Sequence, residues 1–177
     1  MMTKFLSVLF IALSMLLSGA SFAGKGVYQT PKAFINNAFS GATPEAKILW
    51  LTKEDKAVIA EIMQHKYNRM RIRYWQLGNE TVWVLDEIGK EKPITIGVHI
   101  KEKKISHFKV LTFRESRGDE VRHDFYAKQF LDAKLKENNQ LNQHIDGITG
   151  ATLSVRATTK VARIALWLDA KVSHDNL

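Results

Sequence analysis

The chain has 177 residues, 45% of them hydrophobic and 25% charged, with 10 Gly, 3 Pro and no Cys, which excludes collagen-like, low-complexity and disulfide-stapled architectures. Without cysteine there is no thiolate catalysis, thiolate-bound zinc, iron–sulfur cluster or Cys-x-x-Cys-His haem attachment. A formal net charge of +8 would suit nucleic acid in a cytosolic protein, but the N-terminal residues point elsewhere.

Lys4 precedes the apolar run Phe5 to Leu17, interrupted only by Ser7 and Ser14, and Ser18-Gly19-Ala20-Ser21-Phe22-Ala23 follows. A positive start, a short apolar centre and small residues at Ser21 and Ala23 predict a secretory signal peptide over 1–23, cleaved after Ala23. The run falls well short of the about 20 apolar residues that span a bilayer, so no membrane-spanning anchor is expected. No cysteine follows it to take a lipoprotein anchor. The mature chain would be a single domain over 24–177, periplasmic, with a net charge of +7 once Lys4 is gone. An exported chain meets little nucleic acid. Lys66, Arg69, Arg71, Arg73, Lys101, Lys103 and Lys104 therefore read as a solvated sheet face, or as attraction for an anionic cofactor or an acidic redox partner.

Pro31 opens a short apolar-periodic stretch from Lys32 to Phe39, and Thr52 stands as an N-cap before Lys53-Glu54-Asp55, with Ala57, Ile59, Ala60 and Met63 behind. Both predict helices. From Arg69 the period becomes two: Met70, Ile72 and Tyr74 alternate with Arg71, Arg73 and Trp75, Gly78-Asn79 makes a turn, and Thr81 to Leu85 resumes the strand. Ile94, Ile96, Val98 and Ile100 form another alternating run, Lys101 to Lys104 a polar turn, and Ile105 to Phe113 a fourth strand. Phe125 to Leu135 predicts a helix. Ser154 to Lys171 predicts a longer one, with Ala157, Val161, Ile164 and Leu168 on one face. The fold class is α+β: an antiparallel meander of about four strands flanked by helices.

The chemistry-bearing segment is His144-Ile145-Asp146-Gly147-Ile148-Thr149-Gly150-Ala151-Thr152-Leu153-Ser154. Gly147 and Gly150 permit close approach of a bulky group, and Thr149, Thr152 and Ser154 place hydroxyls at the start of a long helix, where free N–H groups and the dipole favour an anion. Read from the residues alone, this is either a phosphate-binding turn or a helix N-cap behind a glycine turn. It matches neither a Walker A loop nor the dinucleotide fingerprint.

Asp146-Gly147-Ile148-Thr149-Gly150-Ala151-Thr152, followed by Leu153-Ser154, resembles the flavinylation motif of the FMN-binding domain that the sodium-translocating NADH:quinone reductase and the Rnf complex carry in their flavinylated subunits. Upstream, Glu115-Ser116-Arg117-Gly118, then Phe125 and Gln129-Phe130, is similar to the Glu-Thr-Pro-Gly region of these domains, with Ser for Thr and Arg for Pro. The resemblance covers roughly residues 80 to 170. It implies FMN carried covalently on Thr152 through a phosphoester. The attachment would be made by a FAD:protein FMN transferase of the ApbE family, which uses Mg²⁺ and releases AMP. Asp146, Thr149, Gly150 and Ala151 would be read by that transferase and, with Gly147, shape the mature site. Leu153 and the backbone around Ser154 would hold the phosphate. Glu115 and Ser116, with Tyr126 and Trp83 or Trp75, are the candidates to pack on the flavin ring.

The implied function is a periplasmic electron carrier between a membrane-bound donor and an extracytosolic acceptor, without a substrate of its own. A noncovalent flavin-binding or interaction module is the alternative. A phosphoester hydrolase using Thr152 or Ser154 is a third reading, for which the sequence supplies no paired base. The six histidines, 65, 99, 107, 123, 144 and 174, show no metal-ligand spacing.

Overall fold

The structure, a computed structural model, describes residues 26–174, with the side chain of His174 left aside; the proposed signal peptide lies outside the described residues. Five strands, β1 (Ala46–Trp50), β2 (Arg71–Leu77), β3 (Glu80–Ile88), β4 (Pro93–Lys101) and β5 (Lys104–Thr112), form one antiparallel sheet in the order β1-β2-β3-β4-β5. Four α-helices accompany it among the described residues: α1 (Pro31–Ala38), α2 (Lys53–Met63), α3 (Asp124–Ala127) and α4 (Thr152–His174). The α+β class is as the sequence predicts, with one strand more than the alternation shows.

Local chemistry sets the boundaries. Thr30 Oγ1 accepts the Ala33 N–H at 3.2 Å ahead of Pro31, so α1 starts with a capped, pre-bent first turn. At α2, the Thr52 N–H donates to Asp55 Oδ2 at 2.8 Å and the Asp55 N–H to Thr52 Oγ1 at 3.2 Å, a reciprocal capping box. Gly78-Asn79 joins β2 to β3 as expected. At the β4–β5 turn both Glu102 (φ 52°) and Lys103 (φ 62°) are left-handed, the backbone that a two-residue hairpin requires.

On one face of the sheet, α2, α4 and the 119–130 segment enclose a core of Trp83, Ile96, Val98, Ile100, Val161 and Leu168, all essentially inaccessible. Tyr74 stacks on Trp83 across the strands at 4.8 Å. The Thr81 hydroxyl donates to the buried Asp169 Oδ1 at 2.6 Å while accepting the Trp83 indole N–H at 2.9 Å, tying the far half of α4 to β3. Lys171 pairs with Asp55 at 3.0 Å and fixes α2 to the same helix. On the other face, α1 packs Phe34 onto Gly97, where a Cβ would come within 2.6 Å of the ring, so glycine is required there for close approach.

One element carries no signal in the sequence, and one expectation needs correction. Residues 46–50 are the edge strand β1, a short run in which only Leu49 is buried and which therefore shows no alternation. The stretch from Phe125 to Leu135 is not one helix: α3 ends at Ala127, a 3-10 turn covers Lys128–Phe130, and Asp132 takes φ 59°. Beyond it the chain pairs with the start of β5, because the Ile105 N–H donates to the Ala133 carbonyl at 3.0 Å and the Asp132 N–H to the Ile105 carbonyl at 2.9 Å. Covering that sheet edge outweighs the helical spacing.

Candidate functional site

The structure brings the two motif segments together. Gly118 (φ 85°) lies so close to the start of α4 that a Cβ there would sit 2.7 Å from Ser154 Oγ, 3.4 Å from Ala151 Cα and 3.5 Å from Ala151 Cβ. Ala151 and Ser154 are correspondingly buried, at 2% and 4%. The upstream Glu-Ser-Arg-Gly turn is thus the wall against which the flavin-like motif packs. The absence of a side chain at 118 is what lets the two backbones meet.

Around that seam the rest of the motif is open. Thr149, Gly150 and Thr152 are exposed, as is Leu153 at 43%. An added Cβ at Gly147 or Gly150 would meet nothing within 4 Å, and Gly150 takes φ 85°. Thr152 is the first residue of a 23-residue helix, which is about 35 Å long at 1.5 Å per residue. The Ala151 N–H closes a turn onto the Ile148 carbonyl at 3.0 Å, and the Val155 N–H makes the first helical bond, to the Ala151 carbonyl at 2.9 Å. The amides of Thr152, Leu153 and Ser154 therefore precede the helical ladder and have no carbonyl within it to bond. No acidic residue lies in the first turn to oppose an anion there.

The loop before the helix is held from below. Gln143 Nε2 donates to the carbonyls of Gln129 and Leu131, at 2.5 and 3.2 Å, and the Asp146 N–H donates to Gln129 Oε1 at 2.7 Å. Arg163 Nε, from α4 itself, reaches the Asn139 carbonyl at 2.5 Å. Ile145 and Ile148 point inward against the core. The Asp146 carboxylate is exposed, 3.7 Å from His144 Nε2. These contacts present the Thr149-to-Leu153 tip outward on a braced base. The bracing by Gln129 and Gln143 is what sequence reasoning misses: Gln129 enters only through the resemblance, and no spacing rule pairs it with residue 143.

Glu115 has a task of its own. Its Oε1 accepts the N–H groups of Lys90, Glu91 and Lys92 at 2.5, 2.6 and 2.8 Å, so one carboxylate oxygen organises the whole β3–β4 turn. Partial burial works to raise its pKa, but the donors of Lys92, Glu91 and Lys90, with the Lys92 charge, outweigh it and hold the carboxyl below the ordinary value. Glu115 and the exposed Ser116 line a cleft of about 530 Å³ together with Gly26, Tyr28, Lys92, Phe113, Arg114 and Asp119, a size in the range of small-molecule sites.

The aromatic candidates for the ring are drawn into the core or onto the far face of the sheet. Tyr126 and Trp83 are fully buried. The Tyr126 hydroxyl is 2.7 Å from Thr158 Oγ1 beneath the first turns of α4, and burial pushes its pKa up to about 12 against the hydrogen bonds from Thr158 and Thr159. Trp75 lies on the other face of the sheet, in the α1 cluster. Aromatic bulk serves the core here, as it does in most domains.

Ser106, His99 and Glu80 form a hydrogen-bonded chain that spacing does not show: Ser106 Oγ lies 2.9 Å from His99 Nδ1, and His99 Nε2 lies 2.9 Å from Glu80 Oε2. Its other carboxylate oxygen is taken by Lys101 at 2.8 Å, and Ser106 also donates to the His99 carbonyl at 3.2 Å, at a bulge between β4 and β5. The chain fastens that bulge, at the opposite end of β4 from the β3–β4 turn.

Compared with known proteins, residues 89–166 match the family described as the FMN-binding domain. No curated protein and no solved structure matches the chain.

Proposed function

We propose that this chain, whose residues 89–166 match the FMN-binding domain family, holds its flavin covalently, the FMN phosphate being esterified to the Thr152 hydroxyl. The observation that carries this reading is the contrast at the start of α4: Thr152 is exposed while Ala151 and Ser154 on either side are buried against Gly118. The Thr152 hydroxyl is therefore open to an incoming donor, and the open space over Gly147 and Gly150 admits a bulky one. In the transfer, the Thr152 oxygen attacks the FMN-side phosphorus of FAD, the pyrophosphate bond breaks, AMP leaves and the hydroxyl proton is lost. This is the work of a FAD:protein FMN transferase.

The residues present fit an esterified phosphate. The amides of Thr152, Leu153 and Ser154 and the dipole of α4 supply partial positive charge at that point. Glu115 and Ser116 border the cleft on the neighbouring side of the seam, where the ring would lie with an edge exposed. When bound, the flavin supplies the electron transfer; the chain positions it and sets its surroundings.

The wider role is a carrier. Together with the expected signal peptide and residues 24–177 as an exported domain, the site supports the reading of a periplasmic relay between a membrane-bound donor and an extracytosolic acceptor. Tethering suits that compartment, because a covalent cofactor keeps its local concentration whatever the free pool. Among the described residues no helix is long and apolar enough to cross a membrane. The test is in-gel flavin fluorescence after denaturation, on protein coexpressed with the transferase. Fluorescence should stay with the protein band and vanish in Thr152→Ala. Colour that washes out on denaturation would favour the noncovalent alternative.

A further inference from the structure

Among the described residues, the sheet face that α1 covers over β3, β4 and β5 carries no helix beside β1 and β2. There, Ile48 stands directly across from Arg73 and Trp50 across from Arg71. Both apolar side chains are exposed, Ile48 at 40% and Trp50 at 63%, and the Arg71 guanidinium lies 5.5 Å from the Trp50 ring. On β3 the same face shows Ile88, 50% exposed, and Asp86. Asp86 is already engaged by Arg69 at 3.7 Å and by the Thr95 hydroxyl at 2.6 Å. The result is an apolar patch interleaved with guanidiniums whose carboxylate is spoken for.

We propose that this face docks the protein on an anionic lipid bilayer, with Trp50, Ile48 and Ile88 entering the headgroup region and Arg71 and Arg73 meeting the lipid phosphates. A second copy of this chain is disfavoured as the occupant, because it would bring the same positive face and the same net positive charge. Trp beside long cationic side chains is the composition that settles at a membrane interface, the ring amphipathic and the arginine stems lying along apolar surface with their charge in the headgroups. The patch also sits at a useful place. Trp50, Arg71 and Ile88 lie at the end of the sheet where the β3–β4 turn is gripped by Glu115, whose segment packs on the start of α4. Docking here holds the flavin-bearing end of the molecule near a membrane-bound donor. The inference rests on the exported-carrier reading for its biological setting, but its test needs no flavin, so the two can fail separately.

The experiment is co-sedimentation of the purified flavin-free protein with vesicles of phosphatidylglycerol and phosphatidylcholine in equal parts, and with phosphatidylcholine alone, alongside quenching of tryptophan by brominated lipid. Binding is expected to the anionic vesicles at low ionic strength, weakened by salt, with quenching lost in Trp50→Phe. Arg71→Gln with Arg73→Gln should weaken it roughly thirtyfold, taking the usual contribution of each cation near such a surface. Trp50→Ala should weaken it on the order of tenfold through lost apolar burial. All these side chains are exposed, and unchanged melting curves would show that the variants fold. No binding to the anionic vesicles, or binding indifferent to both sets of substitutions, overturns the proposal. So does equal affinity for soluble polyglutamate with no effect of Trp50→Ala, which would instead mark the face as a site for an acidic protein.

Discussion

Replacing Gly118 by alanine isolates the seam between the two motif segments. The backbone there is at φ 85°, which costs a residue with a Cβ roughly 1–2 kcal/mol. The new methyl would stand 2.7 Å from Ser154 Oγ and 3.4 Å from Ala151 Cα, and forcing a group into packed space costs about 1–3 kcal/mol more. Gly150→Ala is the matched control, since Gly150 has the same φ of 85° and nothing within 4 Å of a Cβ, so it should show only the backbone part. At about 2–4 °C per kcal/mol for a chain of this size, Gly118→Ala should lower the melting temperature by on the order of 10 °C and Gly150→Ala by about half that. Adding Ser154→Ala to Gly118→Ala removes the nearest obstructing atom and should return part of the loss, a coupling readable as a double-mutant cycle. Thermal melts of Gly118→Ala, Gly150→Ala, Ser154→Ala, the double variant and the wild type suffice. Equal losses at 118 and 150, or no recovery in the double variant, would refute the argument that Gly118 is there to admit the start of α4.

Other predictions concern the side chains around the seam and the core. Glu115→Gln should cost about 1–3 kcal/mol in urea unfolding, because three backbone donors lose a charged acceptor. With its pKa held below the usual 4.5, Glu115 contributes stability that is complete above that value and lost as pH falls through the depressed one; the glutamine variant should lack that part of the acid limb. The His65 imidazole, held above its usual 6.5 mainly by hydrogen bonding to Glu87, contributes in the opposite sense. Its share is present below pH 6.5 and lost as pH rises through the raised value, so His65→Gln should flatten stability across that window, with NMR titration of the ring as the direct check. Tyr126→Phe should destabilise by about 1 kcal/mol, and ultraviolet titration should show a tyrosine with a pKa of about 12 that the variant lacks.

Several parts of this fold are legible in the residues alone. Thr52 announces the N-cap of α2, Gly78-Asn79 announces its hairpin, and the apolar stripe from Ala157 to Leu168 announces α4. Each depends on neighbours within a few residues, where local chemistry decides. Strand β1 is not legible, since an edge strand with one buried residue leaves no period to read. The end of α3 is hidden for another reason: the pull of β5's open edge on residues 132–133 is a long-range bond that local spacing cannot encode.

The candidate site divides in the same way. The segment from Asp146 to Ser154 stands out by its own residues, and the exposure of Thr152 agrees with the role the resemblance implies. The partners of that segment are only partly legible. Gly118 can be named but not placed, the grip of Glu115 on the β3–β4 turn has no local signal, and Tyr126 and Trp83 are core. A side chain's type is visible in each case, but what it touches depends on chain segments dozens of residues away.

The central claim is the bond at Thr152, and intact mass reads it directly. Protein coexpressed with a FAD:protein FMN transferase should gain the mass of one FMN less one water, and fragmentation should place the increment on the peptide containing Thr152. Thr152→Ala should abolish the increment, and Thr152→Ser, which keeps a hydroxyl at the same exposed helix start, should keep some of it. An unmodified mass for the wild type under these conditions, or an increment that persists in Thr152→Ala, would contradict the account.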